Sequence, residues 1–246
     1  FSSASVPLVN HFEGYAVDIS KRFLKPGDLV VDIGSNDGVL LQFLKDSYRV
    51  LGIEPSRNVA EIARQKGVET ITEFFNTDSA GRIVEQYGKA AVICANNVFA
   101  HIDDIDEIIR GIKVLLKQDG VYVFEAHYLL DLIEKREFDT IYHEHLCYFS
   151  LKPLMTLFER FGMEIFDVAR QDVHGGSIRV YVQNKTNRPV GGNVGKLLRL
   201  EEEAGLHTEQ RFVGFQKDVE AIRTKLVDLV RGFRAEGKTV IGYGAP

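Results

Sequence analysis

Short apolar runs alternate with longer segments of helical spacing over the first half of the chain. The runs that predict strands are residues 29–33, 49–53, 68–71, 90–95 and 120–125. The segments that predict helices are the N-terminal region and residues 38–45, 59–65 and 105–116. Strands and helices in this order predict an α/β fold, with a parallel sheet between helices on both faces and right-handed crossovers.

The pattern changes after the fifth strand. Helices are predicted at 129–135 and 151–161, followed by two strands at 165–169 and 178–183 with a glycine-rich link at His174-Gly175-Gly176. A final antiparallel pair is typical of the Rossmann-like sheet of class I methyltransferases. A dinucleotide-dependent dehydrogenase would more often continue with parallel units, so the pattern favours methyl transfer over hydride transfer.

The last large feature is a helix predicted over residues 195–237. Apolar residues recur there at spacings of three and four: Phe212, Phe215, Val219, Ile222, Leu226, Leu229 and Phe233. A helix that packs on its own domain or leads to the next one would have this pattern. A dimerising coiled coil is the alternative.

Composition narrows the class of protein. The 246 residues are 45% hydrophobic and carry a net charge of −5, so no broad basic surface suggests nucleic acid or anionic lipid as a partner. No apolar run approaches the roughly 18 residues of a membrane span, and no signal peptide is visible, so we expect a cytoplasmic protein. Cys94 and Cys147 form no CxxC pair, which argues against a disulfide framework or a cysteine-based zinc site.

A candidate cofactor site lies where the first strand meets a glycine-containing loop. Asp32, Gly34, Asn36 and Gly38 occupy this turn, and Glu54 follows the second strand about 20 residues later. Glycine lets the backbone approach a ligand, Asp32 can attract an ammonium group, and Glu54 can accept both hydroxyls of a ribose. Taken alone, a glycine turn after a strand can also be purely structural.

The loop sequence separates two possible cofactors. Residues 34–38 read GSNDG rather than GxGxxG, the pattern that a pyrophosphate requires at a helix N-terminus. S-adenosylmethionine has no phosphate and tolerates a bulkier loop, so we predict it rather than NAD. Asn96 and Asn97, after the fourth strand, are candidates to hold its methionine part or else cap a turn. Residues 74–76 are candidates to border the adenine, although Phe74 and Phe75 also suit core packing.

The densest group of polar side chains is Tyr142-His143-Glu144-His145. A histidine can act as a base near neutral pH, and a tyrosine hydroxyl or second histidine can stabilise an enolate oxygen. The alternatives are a solvated loop, a structural hydrogen-bond network, or a metal site in which His127 joins His143 and His145. For the single histidines His11, His174 and His207 we expect structural or solvated roles.

These motifs together resemble the bacterial sugar C-methyltransferases that act on nucleotide-linked keto-deoxysugars. The resemblance spans essentially the whole chain. It rests on Ser2-Ser3, the loop at 32–38, NVFAH at 97–101, EFDTIYHEH at 137–145, HGGSIRVY at 174–181 and GYGAP at 242–246. The Tyr142–His145 stretch and the HGGSIRVY stretch are specific, whereas the glycine loop alone is not.

The resemblance implies a three-part protein with an N-terminal zinc-binding module, a methyltransferase core and a C-terminal Rossmann-like domain. Zinc would then belong only to the first module, and no metal is expected in this chain. We expect the core at 1–190, a long helical linker at 191–237, and the first strand of a truncated C-terminal domain at 238–246.

The resemblance also implies roles for individual residues. His145 would remove a proton beside a ketone, Glu144 and Tyr142 would position it or bind substrate, and His101 would help to stabilise the enolate. Arg179 could face a phosphate or form an ion pair at a strand edge. Two other functions remain open, a methyltransferase with another small-molecule acceptor and a non-catalytic S-adenosylmethionine-binding module.

Overall fold

The computed structural model describes residues 2–243 and contains one seven-stranded sheet. Its strands are β1 (Leu29–Ile33), β2 (Arg49–Ile53), β3 (Thr70–Ile71), β4 (Ala90–Asn96), β5 (Leu116–His127), β6 (Met163–Gln171) and β7 (Ser177–Asn184). The strand order is β3-β2-β1-β4-β5-β7-β6. The first five strands are parallel, whereas β7 runs antiparallel to both β5 and β6. This is the class I methyltransferase sheet, with the predicted antiparallel pair at one end.

Eight α-helices surround the sheet in the described residues. They are α1 (Val6–Phe23), α2 (Arg57–Gln65), α3 (Thr77–Tyr87), α4 (Ile105–Leu115), α5 (Leu129–Lys135), α6 (Leu151–Glu159), α7 (Gly192–Glu203) and α8 (Glu209–Ala235). Successive residues of a strand point to opposite faces of the sheet, and each face has its own hydrophobic core. On one face, Val121 and Val123 of β5 pack in a core that includes α1. On the other face, Tyr122 and Phe124 pack in a core that includes α3, α4, α6 and α7.

The predicted helix at 38–45 is wrong. Residues 38–45 form turns, with one short 3-10 helix at Leu41–Phe43. Gly38 has a φ of +77°, in the left-handed region, so a right-handed helix does not begin there. Apolar Val39, Leu40 and Leu41 are nevertheless buried, which explains why the sequence pattern looked helical.

The long helix predicted for 195–237 is interrupted. Gly205 adopts a φ of +62° and ends the first helical segment, so α7 and α8 are separate helices. Val194 and Leu197 of α7 are buried in the core, whereas no described residue of α8 is buried. Much of the apolar stripe on α8 is exposed, with Leu226 and Leu229 at 58% and 54% of their full surface.

Residues 238–243 form no strand in the structure, and residues 244–246 lie outside the described part of the chain. A strand requires a hydrogen-bonded neighbour, so the strand predicted at 238–246 stays a prediction. Within residues 2–243, no helix combines the length and apolar character that crossing a bilayer would need.

Candidate functional site

A cavity of about 620 Å³ opens at the carboxyl edge of the parallel strands. The loops after β1, β2 and β4 form its floor, and Leu8 and Phe12 of α1 cover one side. Seven residues predicted for the site line it: Asp32, Gly34, Asn36, Glu54, Asn96, Asn97 and His101. The topology brings them together because the ends of parallel strands meet at one edge of a sheet.

Gly34 shapes the floor of this cavity. Its φ is +67°, and a Cβ added there would overlap the side chain of Val98 from the loop after β4. Gly38 is also in the left-handed region, but it does not line the cavity. A Cβ on Gly38 would lie 3.1 Å from Cγ2 of Val68, so this glycine lets the loop pack on the segment before β3.

Two carboxylates face the cavity from neighbouring strands. Asp32 is 3% exposed, and its Oδ1 has no hydrogen-bond partner among the described residues. Burial, and to a smaller extent the nearby charge of Glu54, raise the pKa of Asp32 to about 7. The carboxylate of Glu54 accepts the backbone N–H of Asn36 at 3.0 Å and of Ser56 at 2.9 Å. These bonds fix its orientation and leave lone pairs for hydroxyl groups.

Asn96 and Asn97 form the wall at the end of β4. Both polar atoms of the Asn96 amide and the Oδ1 of Asn97 are buried without a partner in the described residues. Asn97 has a φ of +55°, and its N–H donates to the carbonyl of Glu125 at 2.9 Å. Buried polar groups normally have partners, so unpaired amides at a cavity wall suit a polar ligand.

Residues 74–76, in the segment between β3 and α3, take different positions. Phe74 lines the cavity with 78% of its surface exposed, so its ring is open to a flat ligand group. Phe75 touches the cavity and belongs to the core, with 6% exposed. Asn76 does not line the cavity, because its side chain caps α3 by accepting the N–H of Ser79 at 2.8 Å.

His145 sits beside the cavity rather than on its wall. Its Nδ1 lies 2.8 Å from the carbonyl oxygen of Thr140, and its Nε2 lies 3.4 Å from the hydroxyl of Tyr142. A carbonyl only accepts hydrogen bonds, so in the neutral ring Nδ1 carries the hydrogen and Nε2 is the free base. No hydrogen bond to a carboxylate orients this ring in the described residues.

His101 connects His145 to the cavity. The two ring centroids are 4.9 Å apart, and His101 itself lines the cavity. The Nδ1 of His101 donates to the backbone carbonyl of Glu144 at 2.8 Å, which leaves Nε2 as an acceptor in the neutral ring. Tyr142 and Glu144 do not line the cavity, and both are exposed.

His127 and His174 extend this group of rings. The His127 ring is 5.1 Å from that of His145 and 5.8 Å from that of His174. Burial, and to a smaller extent the neighbouring histidines, lower the pKa of His127 to about 4. His174, expected to be structural or solvated, lines the cavity with a left-handed φ of +50°. Only the adjacent glycines signalled an unusual backbone there.

A metal does not fit this group as it stands. Among residues 2–243, no three side chains of His, Cys, Asp or Glu are placed to hold a metal ion. The interpretation of His127, His143 and His145 as ligands therefore has no geometric support in the described chain.

Arg179 forms a buried ion pair instead of facing the cavity. Its Nε donates to Glu125 at 2.7 Å, and its guanidinium lies 3.8 Å from the ring centre of Tyr15. The Nε2 of His11 lies 2.8 Å from the same carboxylate. The ion pair is one of the two alternatives that the sequence left open for Arg179, whereas its partners Glu125 and His11 were not predicted. This network attaches α1 to the sheet next to the cavity.

Two family models match the chain. A methyltransferase domain matches residues 10–168, and a C-methyltransferase C-terminal domain matches residues 172–246. Among curated relatives, the C-methyltransferase NovU of Streptomyces niveus is 42% identical over 225 residues, which cover 91% of this chain and 54% of that protein. A carboxy-S-adenosyl-L-methionine synthase of Nautilia profundicola is 30% identical over 128 residues, covering 48% of this chain and 53% of the relative. The chain thus spans about half the length of these curated relatives.

Solved structures share the fold at low sequence identity. A magnesium protoporphyrin IX methyltransferase from Synechocystis with bound SAH has a TM-score of 0.55 at 15% identity, covering 71% of this chain and 83% of that one. A possible histamine N-methyltransferase from Thermotoga maritima has a TM-score of 0.53 at 20% identity, covering 72% and 92%. The methyltransferase domain model covers more than half of the chain, and the sheet order and the glycine turn agree with it, so the chain belongs to this family of S-adenosylmethionine-dependent methyltransferases.

Proposed function

We propose that the parent protein transfers a methyl group from S-adenosylmethionine to the carbon next to a ketone of a nucleotide-linked deoxysugar. The observation that carries this proposal is the placement of His145, whose ring lies 4.9 Å from that of His101, a residue that lines a cavity suited to the methyl donor. The 42% identity to a C-methyltransferase supports transfer to carbon.

The charges of the cavity support the cofactor. Asp32, Glu54 and Asp103 line it, and none of its described lining residues is Lys or Arg. Such a site favours a sulfonium and an ammonium group over a pyrophosphate. We expect Asp32, Asn96 and Asn97 to hold the amino-acid part, Glu54 the ribose, and Phe74 the adenine. The bound cofactor supplies an electrophilic methyl group.

The proton transfer can be assigned to named atoms. The Nε2 of His145 takes the proton from the carbon beside the ketone, and the electron pair moves onto the carbonyl oxygen as an enolate. The ketone makes this C–H acidic, so the imidazole of a histidine is a suitable base. The enolate carbon is then the nucleophile that receives the methyl group.

The tautomer of His101 limits which group can donate a hydrogen bond to the enolate oxygen. His101 already uses Nδ1–H on the carbonyl of Glu144, so its Nε2 can donate only when the ring is protonated. The hydroxyl of Tyr142, near the base, is a donor without any added proton. We therefore assign the enolate contact to Tyr142 or to cationic His101.

The acidic cavity also indicates where the acceptor's nucleotide does not bind. A diphosphate placed among three carboxylates would be repelled, so we expect only the keto-sugar to approach His101 and His145. The diphosphate would then lie outside the cavity. Sugar recognition and nucleotide recognition would be separate tasks.

The direct test uses the full-length protein with S-adenosylmethionine and a nucleoside-diphosphate-linked keto-deoxysugar. We expect a product that is heavier by one methyl group on carbon, detected by mass spectrometry and NMR. In D₂O with S-adenosylhomocysteine, we expect deuterium to enter beside the ketone. The matched control is the same sugar with the ketone reduced to an alcohol, which cannot form an enolate. Methylation of this alcohol at an equal rate would overturn the enolate mechanism.

Calorimetry with S-adenosylhomocysteine, and NAD as the control, separates the remaining alternatives. Binding of S-adenosylhomocysteine without methylation of any keto-sugar would favour another acceptor or a binding module. Binding of NAD alone would overturn the proposal for the cofactor.

A further inference from the structure

Glu201 of α7 is a buried carboxylate, 1% exposed, that accepts four hydrogen bonds. Its Oε1 accepts the N–H of Leu151 at 2.6 Å and the hydroxyl of Tyr128 at 3.1 Å. Its Oε2 accepts the N–H of Lys152 at 3.3 Å and lies 3.2 Å from the Nε2 of His207. An ionised group is this deeply buried only when such donors replace water.

Three of these four donors, Tyr128, Leu151 and Lys152, belong to the two ends of one segment. Tyr128 follows β5, and Leu151 begins α6, so the chain between them is an excursion that starts with the buried helix α5 and returns to the sheet. A β-bridge joins Tyr128 to Phe149, and the N–H of Leu129 donates to the carbonyl of Phe149 at 2.9 Å. The excursion therefore starts and finishes at one place, beside Glu201.

The second half of this excursion, residues 136–150, is here called the histidine loop, and it carries Tyr142 and His145. Between its ends, the loop is attached by the N–H groups of Leu146 and Cys147, which both donate to the carbonyl of Ala100, and by the His101 contact with Glu144. The ring of His145 also lies against the rings of His101 and His127. The contacts at the ends of the loop, beside Glu201, act together with these to define where His145 stands relative to the cavity.

We propose that Glu201 is a positioning residue for His145, acting by holding both ends of the histidine loop through Tyr128 and the first turn of α6. This inference rests on the proposed function. A carboxylate at a helix N-terminus is favoured by the helix dipole, which strengthens the α6 contact. Glu201 lies in the stretch matched by the C-methyltransferase C-terminal domain, whereas the loop lies in the methyltransferase domain match. A residue of the C-methyltransferase C-terminal region would thereby position His145, which lies in the methyltransferase domain region.

The test compares Glu201→Ala and Glu201→Gln with the exposed neighbour Glu203→Gln in the full-length protein. Hydrogen–deuterium exchange of residues 136–150, affinity for S-adenosylhomocysteine and kcat are measured for each. For Glu201→Ala we expect loop exchange to rise on the order of tenfold or more and kcat to fall on the order of 30-fold. Cofactor affinity should stay within about twofold, because Glu201 is not part of the cavity wall.

Glu201→Gln should retain part of the wild-type loop protection and kcat, since its side-chain oxygen can still accept hydrogen bonds from Leu151 and Tyr128. Tyr128→Phe removes one donor and should give a smaller change in the same direction, which keeps the test available if Glu201→Ala does not fold. Wild-type loop exchange and kcat in both Glu201 variants would overturn the proposal, as would a parallel loss of cofactor binding. Inactivity of the wild type on keto-sugars would refute the proposed function, while the exchange result would still decide whether Glu201 holds the loop.

Discussion

The Nδ1 of His145 lies 2.8 Å from the carbonyl oxygen of Thr140, and this contact sets the chemistry of the ring. The hydrogen is held on Nδ1, so Nε2 has a free lone pair directed toward Tyr142. A backbone carbonyl orients the base where many enzymes use a carboxylate. The ring is thereby oriented without a permanent negative charge beside it.

His145→Gln should abolish methyl transfer while cofactor binding is retained. Glutamine can keep polar contacts but cannot take a proton, and general-base catalysis contributes about 10²–10⁴-fold to a rate. We expect kcat to fall within that range and affinity for S-adenosylhomocysteine to change by less than about twofold. Calorimetry and a methyl-transfer assay on the full-length protein measure the two quantities.

The matched control is His143→Gln, two residues away. His143 is exposed and makes a ring contact with Tyr142 only, among the contacts described. Its replacement should leave kcat nearly unchanged. Turnover of His145→Gln at the wild-type rate would show that the base lies elsewhere.

Affinity for S-adenosylhomocysteine should rise with pH through Asp32. The pKa of this carboxyl is about 7 before the ligand binds, because burial, and then Glu54, disfavour its charged form. Only the carboxylate attracts the ammonium group of the ligand, so affinity should increase up to about tenfold per pH unit below pH 7 and level off above it. Calorimetry between about pH 6 and 8 measures this, and Asp32→Asn should bind weakly with little pH dependence in that range.

The same carboxyl predicts an opposite effect on folding. Its folded-state pKa is raised above the unfolded value of 3.8, so the folded protein holds the proton more tightly. The free energy of unfolding should therefore fall as pH rises from about 4 to 7, by about 1.4 kcal/mol for each unit of pKa difference. Without ligand, Asp32→Asn should be more stable than the wild type at about pH 8 in urea denaturation. Equal stability there would contradict the assignment.

His127 should make the protein less stable in mild acid. Its folded pKa of about 4 lies below the ordinary value of 6.5, so the unfolded chain binds the extra proton between these pH values. The free energy of unfolding should decrease as pH falls from 6.5 toward 4, and His127→Gln should lose less over that window. Urea denaturation at both ends of the window compares the two proteins. Identical pH dependence would mean that His127 is solvated.

Gly34→Ala should impair both folding and cofactor binding. The new methyl group would overlap Val98, and φ at this position is +67°. Removing the obstacle in Gly34→Ala/Val98→Ala should recover part of the affinity for S-adenosylhomocysteine, although the backbone strain remains. Gly81→Ala is the control, since it meets no atom within 4 Å on α3 and should be neutral or slightly stabilising. A loss in the control equal to that of Gly34→Ala would refute the steric argument.

The sequence predicted most of the sheet because its strands are buried on both faces. All five residues of β1 are buried, so the strand reads as an apolar run that periodicity detects. The prediction of a helix at 38–45 was wrong because Val39, Leu40 and Leu41 are buried without forming a regular α-helix. Burial produces the same residue pattern in either conformation, and the φ of Gly38 decides between them.

The candidate site was partly predictable in the same way. Residues at strand ends, such as Asp32 and Asn96, could be assigned to one edge because the topology of parallel strands requires it. The contacts of His174 and Glu201 could not be predicted, because both depend on loops and helices that pack together from distant parts of the chain. The ring of His174 contacts that of His127, 47 positions earlier in the chain, and Glu201 reaches Tyr128 from α7.

The position of β7 has a consequence for how this protein can be divided. The boundary between the two matched family regions, at residues 168–172, falls at the end of β6, yet β7 is inserted between β5 and β6. A fragment ending at residue 168 would lose the central partner of both strands and expose the full edge of β5 to pairing with other chains. Sequence comparison thus divides the chain into two regions, whereas the sheet needs strands from both of them to fold. A recombination event at this boundary would have to keep β7 together with the first region.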